Sequence, residues 1–182
     1  RRFIDHQASI VRLIIAGNAM SEPARAAADG EGGPAALKKT SLAAQQGLSG
    51  RVTALDTFLT SVCAALPVDL MAGPHDPCNF LLPQQPLHRL MFPQTGRMPT
   101  FQSVTNPYAF TMAGRKIIVT SGQAVADILR NSELAGPLEA LERCLTWGHL
   151  APTTPATLRL FPYSDKDPHV LASLPDVLVA GN

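Results

Sequence analysis

Residues 67–88 read PVDLMAGPHDPCNFLLPQQPLH. Their interpretation decides the fold. The apolar run Val68–Met71 has the composition of a short buried strand. It ends at Gly73, and Pro74, His75, Asp76 and Pro77 follow. A strand that delivers a His and an Asp into a loop can build one corner of a metal or phosphate site. The same residues also make an ordinary turn, because Gly and Pro punctuate and Asp before Pro favours turn initiation. The difference depends on whether other strands bring ligands to the same place.

Upstream, Arg51–Leu66 has apolar residues at Val52, Leu55, Leu59, Val62 and Leu66, the spacing of one helix face, widened by Phe58 and Cys63. A start near Leu37 is also open, and Pro67 stops the helix. Before it, Ser9–Ala16 is β-branched and nearly continuous in apolar residues, the pattern of a strand buried on both faces. Strand, helix and strand in this order predict a βαβ unit with parallel strands and a right-handed crossover. Ala, Gly, Ser and Pro dominate residues 22–50, which predicts a flexible insertion.

Downstream, prolines at 83, 86, 93 and 99 force an extended path from Phe80 to Pro99, with Leu81, Leu82, Leu87, Leu90, Met91 and Phe92 expected to tuck inward. Phe101–Val104 reads as a strand. Tyr108–Met112 and Arg115–Thr120 read as a hairpin about Ala113-Gly114. Helices are expected over Val125–Asn131 and from Pro137 to Trp147, with Trp147 in the core. A Pro/Thr loop fills Ala151–Pro168, and Val177–Ala180 is the last strand. The fold class is α/β of the α+β type.

The totals narrow the function. The 182 residues suit one domain, and a 46% apolar fraction supports a real core. Only 16% are charged, against a usual ~25%, which fits a surface covered by partners. A net charge of +1, with no Lys/Arg cluster beyond Lys38-Lys39, argues against a nucleic-acid face. At 5% aromatic residues, base-stacking platforms are also unsupported. Cys63, Cys78 and Cys144 have no CxxC spacing and read as free thiols. No apolar run reaches the ~18 residues of a membrane span. The abrupt start at Arg1 and stop at Asn182 suggest a piece of a longer protein.

Four strands end alike: Ala16-Gly17-Asn18, Ala72-Gly73-Pro74-His75-Asp76, Thr120-Ser121-Gly122 and Ala180-Gly181-Asn182. One rim built from several strand ends would explain the repetition. The pattern resembles the calcineurin-like metallophosphoesterases, a β-sandwich flanked by helices whose strand-end loops hold two metal ions. The resemblance implies ligand positions that are mostly lost here. Asn18 stands where a bridging carboxylate belongs and Ser21 where a second Asp belongs. Pro74 replaces a metal-binding Asn beside the retained His75 and Asp76, and Asn182 replaces a His. A neutral amide is a poor substitute for a charge that must hold two divalent ions. The first motif of the family would lie upstream of Arg1.

A phosphoesterase fold with a dismantled site resembles the B-subunits of the eukaryotic replicative DNA polymerases, and within them the delta branch. LIIAGN (13–18), PVDLMAG (67–73), LPQQPLH (82–88), MFP (91–93), VTNPY (104–108) and TSGQ (120–123) carry the likeness, with Asp76-Pro77 and Gly181-Asn182. The resemblance implies an inactivated phosphoesterase-like domain over 1–182, incomplete at its N-terminus and without the family's OB-fold. It further implies a nuclear, non-catalytic scaffold with no cofactor and no metal. Such a scaffold serves DNA replication and repair, joining the catalytic subunit of DNA polymerase delta to a further accessory subunit and reaching DNA only indirectly. The Pro-rich segments are candidate contact surfaces, with Leu82, Pro83, Gln84, Gln85, Pro86, Leu87, His88 and Phe92 in the first and Ala151–Pro168 as the second. His88 and His149 are expected to be structural. The competing function is an active metal-dependent phosphoesterase or nuclease.

Overall fold

The computed structural model describes residues 10–20 and 34–181, with side chains from residue 47 onward in the second stretch. Ser21, Asn182 and residues 22–33 lie outside the described residues.

Strand β1 (Leu13–Ala16), helix α1 (Pro34–Cys63) and strand β2 (Val68–Met71) form the expected βαβ unit. The two strands are parallel, with Leu13 opposite Val68 and Ala16 opposite Met71. Helix α1 begins at Pro34, so the second half of the expected insertion is helical. Proline suits a first helical position, whose N–H would have no partner anyway. β1 is shorter than Ser9–Ala16 and only half-buried, since it forms one edge of the described sheet.

β3 (Phe101–Val104) joins the other side of β2, also in parallel, giving the order β1-β2-β3. A second sheet has the order β4-β5-β6. Its hairpin, β4 (Tyr108–Met112) and β5 (Arg115–Thr120), turns through Ala113 and Gly114 with φ of 50° and 75°, the positive pair that a two-residue hairpin loop needs. β6 (Val177–Ala180) runs parallel to β5.

Alternation along β2 sets the layers. Val68 and Leu70 face Leu59 and Cys63 of α1, together with Phe92 and Phe101. Met71 faces the other way, against Val104 and Val119, so the two sheets pack face to face. Asp69, also buried, accepts from Arg12 Nη1 at 2.7 and 2.8 Å. Helices α2 (Gln123–Arg130) and α3 (Pro137–Trp147) pair through Val125, Ile128, Ala140 and Cys144, with Ala180 of β6 beside them. The result is a mixed α/β fold of two facing sheets with helices outside. Among the described residues no helix is long and apolar enough to cross a membrane.

Several apolar residues depart from the expected core, and Ile10 and Val11 of the expected first strand are both exposed. Phe58 is exposed, because α1 turns only its Leu59–Cys63 side to the sheet. Leu90 sits on a tight turn at Arg89–Met91 that buries Phe92 and leaves Leu90 84% exposed. Trp147 stands 53% exposed on the last turn of α3, beyond the cluster that α2 covers. The Pro-rich stretch is tied to α1 by buried Asp56, whose carboxylate accepts from Thr95 N at 2.9 Å and Gln94 N at 3.0 Å.

Candidate functional site

The four strand ends meet. A Cβ on Gly17, which has φ of 91°, would lie 2.6 Å from Ser121 Cβ and 2.9 Å from Gly73 Cα. A Cβ on Gly73 would reach Asn18 N at 2.3 Å, and one on Gly181 would reach Ala16 O at 2.3 Å. The ends of β1, β2 and β6 therefore approach at the backbone, with Ser121 after β5 packed against Gly17, and the glycines at these positions allow the approach. This is the single rim that the repeated Gly-polar endings imply.

The residues at the rim are committed to one another. The Asp76 carboxylate is buried. Its Oδ1 accepts from Met20 N at 2.8 Å and its Oδ2 from Gly73 N at 2.8 Å. Asn18 has φ of 55°, and its Oδ1 accepts from His75 N at 3.0 Å. Pro74 is half-buried and the His75 side chain is exposed. Asn18, Pro74, His75 and Asp76 thus lie at one end of the sheet; Ser21 and Asn182 fall outside the described residues. Among the described residues no group of three or more His, Cys, Asp or Glu side chains is arranged to hold a metal ion. The donor set fits a divalent ion poorly, since each Asp76 oxygen already accepts a backbone N–H and Asn18 supplies no charge. Asp76 therefore clamps the β1 and β2 loops to each other.

Below the rim lies a buried polar knot. Gln84 and Asn106 exchange backbone hydrogen bonds, Gln84 N to Asn106 O at 2.8 Å and Asn106 N to Gln84 O at 3.1 Å. Asn106 Nδ2 shares its two hydrogens among Ser121 Oγ at 2.6 Å, Gln84 Oε1 at 2.7 Å and Gln123 Oε1 at 2.9 Å. Asn106 Oδ1 accepts from Ser121 N at 3.1 Å. Gln84 Nε2 lies at 3.0 Å from both Asn79 O and Cys78 Sγ and at 3.3 Å from Gly73 O. Burial, with the Asp76 charge, pushes the Cys78 thiol up to about 11, so it is protonated at neutral pH and no nucleophile. Its described members are neutral groups that can position loops, and none of them is a general base.

The sequence profile of the DNA polymerase alpha/epsilon B-subunit family matches residues 2–182. The chain belongs to that family. Among the relatives of this B-subunit chain, the DNA polymerase delta subunit 2 of Drosophila melanogaster is 46% identical over 174 residues, covering 96% of the chain and 39% of the relative. The DNA polymerase delta small subunit of Oryza sativa subsp. japonica is 42% identical over 174 residues, with the same coverage. That of Arabidopsis thaliana is 39% identical over 177 residues, covering 96% and 38%. The chain thus spans about two fifths of the length of these relatives.

The B-subunit strings are now legible as chemistry. LPQQPLH supplies Gln84, VTNPY supplies Asn106 and TSGQ supplies Ser121 and Gln123, the members of the knot. This corrects the placement of the candidate contact surface. Leu82, Gln84, Leu87 and Phe92 are buried in this chain's own core, at 0–4% exposure, and are not available to a partner. Gln85, Pro86 and His88 are exposed and Pro83 half-buried, so only those four of the group can meet one. His88 and His149 are structural as expected. His88 Nδ1 accepts from Leu90 N at 3.2 Å, and His149 Nδ1 accepts from Ala151 N at 3.0 Å.

Proposed function

We propose that this chain forms the inactivated phosphoesterase-like core of an accessory subunit of DNA polymerase delta. In this role it is a non-catalytic scaffold in DNA replication and repair, working in the nucleus. It joins the catalytic subunit, through that subunit's C-terminal domain, to a further accessory subunit, and it meets DNA through them. The observation that carries the non-catalytic part is the Asp76 carboxylate: both its oxygens are taken by Met20 N and Gly73 N, where a phosphoesterase would offer an acidic ligand. The relatives named as delta small subunits support the choice of complex. The net charge of +1 supports indirect contact with DNA.

Two experiments test this. Full-length protein is co-expressed with the C-terminal domain of the delta catalytic subunit, and stoichiometric co-purification is expected. Failure of two folded partners to associate overturns the scaffold role. Separately, the purified protein is assayed with Mn²⁺ on a generic phosphodiester, and no turnover above the metal-only blank is expected. Turnover that disappears in Asp76→Ala and His75→Ala overturns the non-catalytic assignment.

A further inference from the structure

The His169 ring is buried, at 2% exposure, yet its Nε2 has no hydrogen-bond partner among the described residues. A buried polar atom normally has one. The backbone that carries the ring is held on both sides: His169 N donates to Asp167 Oδ1 at 2.8 Å, and His169 O accepts from Leu150 N at 2.9 Å. The polar groups beside the ring are already committed. The His149 ring centroid lies 6.3 Å away. Its Nδ1 accepts from Ala151 N, and its Nε2 pairs with the second Asp167 oxygen, Oδ2, at 2.9 Å.

His169 lines a small cavity. It offers about 10 Å³ to the centre of a water molecule, near the minimum of ~10–15 Å³ that holds one. Leu82, Ala124 and Ala151 make its apolar wall. Thr120 and Gln123 also stand in the lining, with hydrogen-bonding capacity to spare. Gln123 Nε2 gives one of its two hydrogens to Gln84 Oε1 at 3.1 Å, and the other has no acceptor among the described residues. The Thr120 hydroxyl forms no hydrogen bond among the described residues. A buried water typically has about three polar partners. The lining contains no Asp, Glu, Lys or Arg, so it favours a neutral ligand over an ion. Its volume excludes anything larger than water.

We propose that this cavity binds one water molecule, shared among His169 Nε2, Gln123 Nε2 and the Thr120 hydroxyl. His169 Nε2 gains the partner that the protein does not give it. The water ties the end of β5, at Thr120, and the first residue of α2, Gln123, to His169, just beyond the Ala151–Pro168 loop. Gln123 belongs to the polar knot, accepting from Asn106 Nδ2 and donating to Gln84 Oε1. The water therefore extends the knot by one link and anchors the C-terminal end of the loop to it. The site is a property of this chain's interior and stands apart from the scaffold role.

The test is a high-resolution crystal structure of the full-length protein, alone or with its polymerase partners. A water peak is expected about 2.7–3.2 Å from His169 Nε2. His169→Phe keeps a ring and removes the nitrogen, and the peak should be lost. Thr120→Val keeps the shape and removes the hydroxyl, and the occupancy of the peak should fall. In solution, the wild-type protein should show a nuclear Overhauser peak between water and the carbon-bound ring protons of His169, and Thr120→Val should weaken it. An empty cavity, a protein group bonded to His169 Nε2, or a water peak unchanged in His169→Phe overturns the proposal. If His169→Phe does not fold, the other two proteins decide. A peak missing from the wild type, or equally strong in Thr120→Val, overturns the proposal as well.

Discussion

Gln84 and Asn106 are joined three times, by two backbone hydrogen bonds of 2.8 and 3.1 Å and by Asn106 Nδ2 to Gln84 Oε1 at 2.7 Å. Both residues are buried, so water cannot replace a lost partner. Gln84→Ala takes the side-chain partner from Asn79 O and from Gln123 Nε2 and opens a cavity between the segments that Gln84 joins. An unsatisfied buried polar group costs ~1–3 kcal/mol, so the variant should lose about 3 kcal/mol or more in urea unfolding of the full-length protein. Gln85→Ala, one residue away and exposed, should stay within about 0.5 kcal/mol. Equal midpoints for the two variants would refute the knot.

Asp76 makes the second such joint, between loops that lie 56 residues apart. Asp76→Ala strips Met20 N and Gly73 N of their acceptor, at an expected cost of ~2–4 kcal/mol. Asp76→Asn keeps one acceptor oxygen and should cost about half as much. Adding Mn²⁺ should raise the melting temperature of neither variant nor of wild type. A metal-dependent rise seen in wild type and absent from Asp76→Ala would show that Asp76 still serves an ion.

Much of this was readable from the chain. The apolar runs on either side of α1 marked the parallel pair β1 and β2; burial on both faces holds for β2, while β1 at the sheet edge is only half-buried. Ala113-Gly114 marked the hairpin, and the repeated Gly-polar endings marked the rim. The inward turn of Gln84 was not readable. A buried amide has no periodic signature, and its partners Asn106, Ser121 and Gln123 come from distant segments. For the same reason LPQQPLH reads as a surface motif although Gln84 is interior and only Gln85 and His88 among its polar residues are exposed. Leu90 and Trp147 misled in the opposite sense: apolar type predicts burial only where a neighbouring element arrives to cover the side chain.

The closeness of the rim has its own test. Gly73→Ala puts a methyl 2.3 Å from Asn18 N, a backbone atom that cannot swing aside. The expected cost exceeds about 3 kcal/mol, and recovery of folded protein should drop sharply. Gly50→Ala is the control. Gly50 lies inside α1 with nothing within 4 Å of an added Cβ. Replacing a helical glycine there should stabilise by ~0.5–1 kcal/mol. If Gly73→Ala behaved like Gly50→Ala in thermal unfolding, the strand ends could not be in contact.

His169 sets the pH dependence. It is buried beside His149 and Asp167, and burial lowers its pKa below the ordinary 6.5; the Asp167 carboxylate opposes the shift and His149 adds to it. As pH falls through about 6.5 the unfolded chain takes up this proton before the folded chain does. The stabilisation is therefore complete above pH 6.5 and is lost as the pH falls. Asp56 and Asp167 are also lowered, from the carboxylate value and for a different reason. Burial alone would raise both, but hydrogen bonds from Thr95 and Gln94 to Asp56, and from His149 and His169 to Asp167, outweigh it and lower them. Their stabilisation starts to fade only as the pH nears the ordinary carboxylate value of 3.8. The decline in melting temperature between about pH 6.5 and 4 should thus track His169, and His169→Gln should flatten it. An unchanged slope in that variant would assign the pH dependence to other groups.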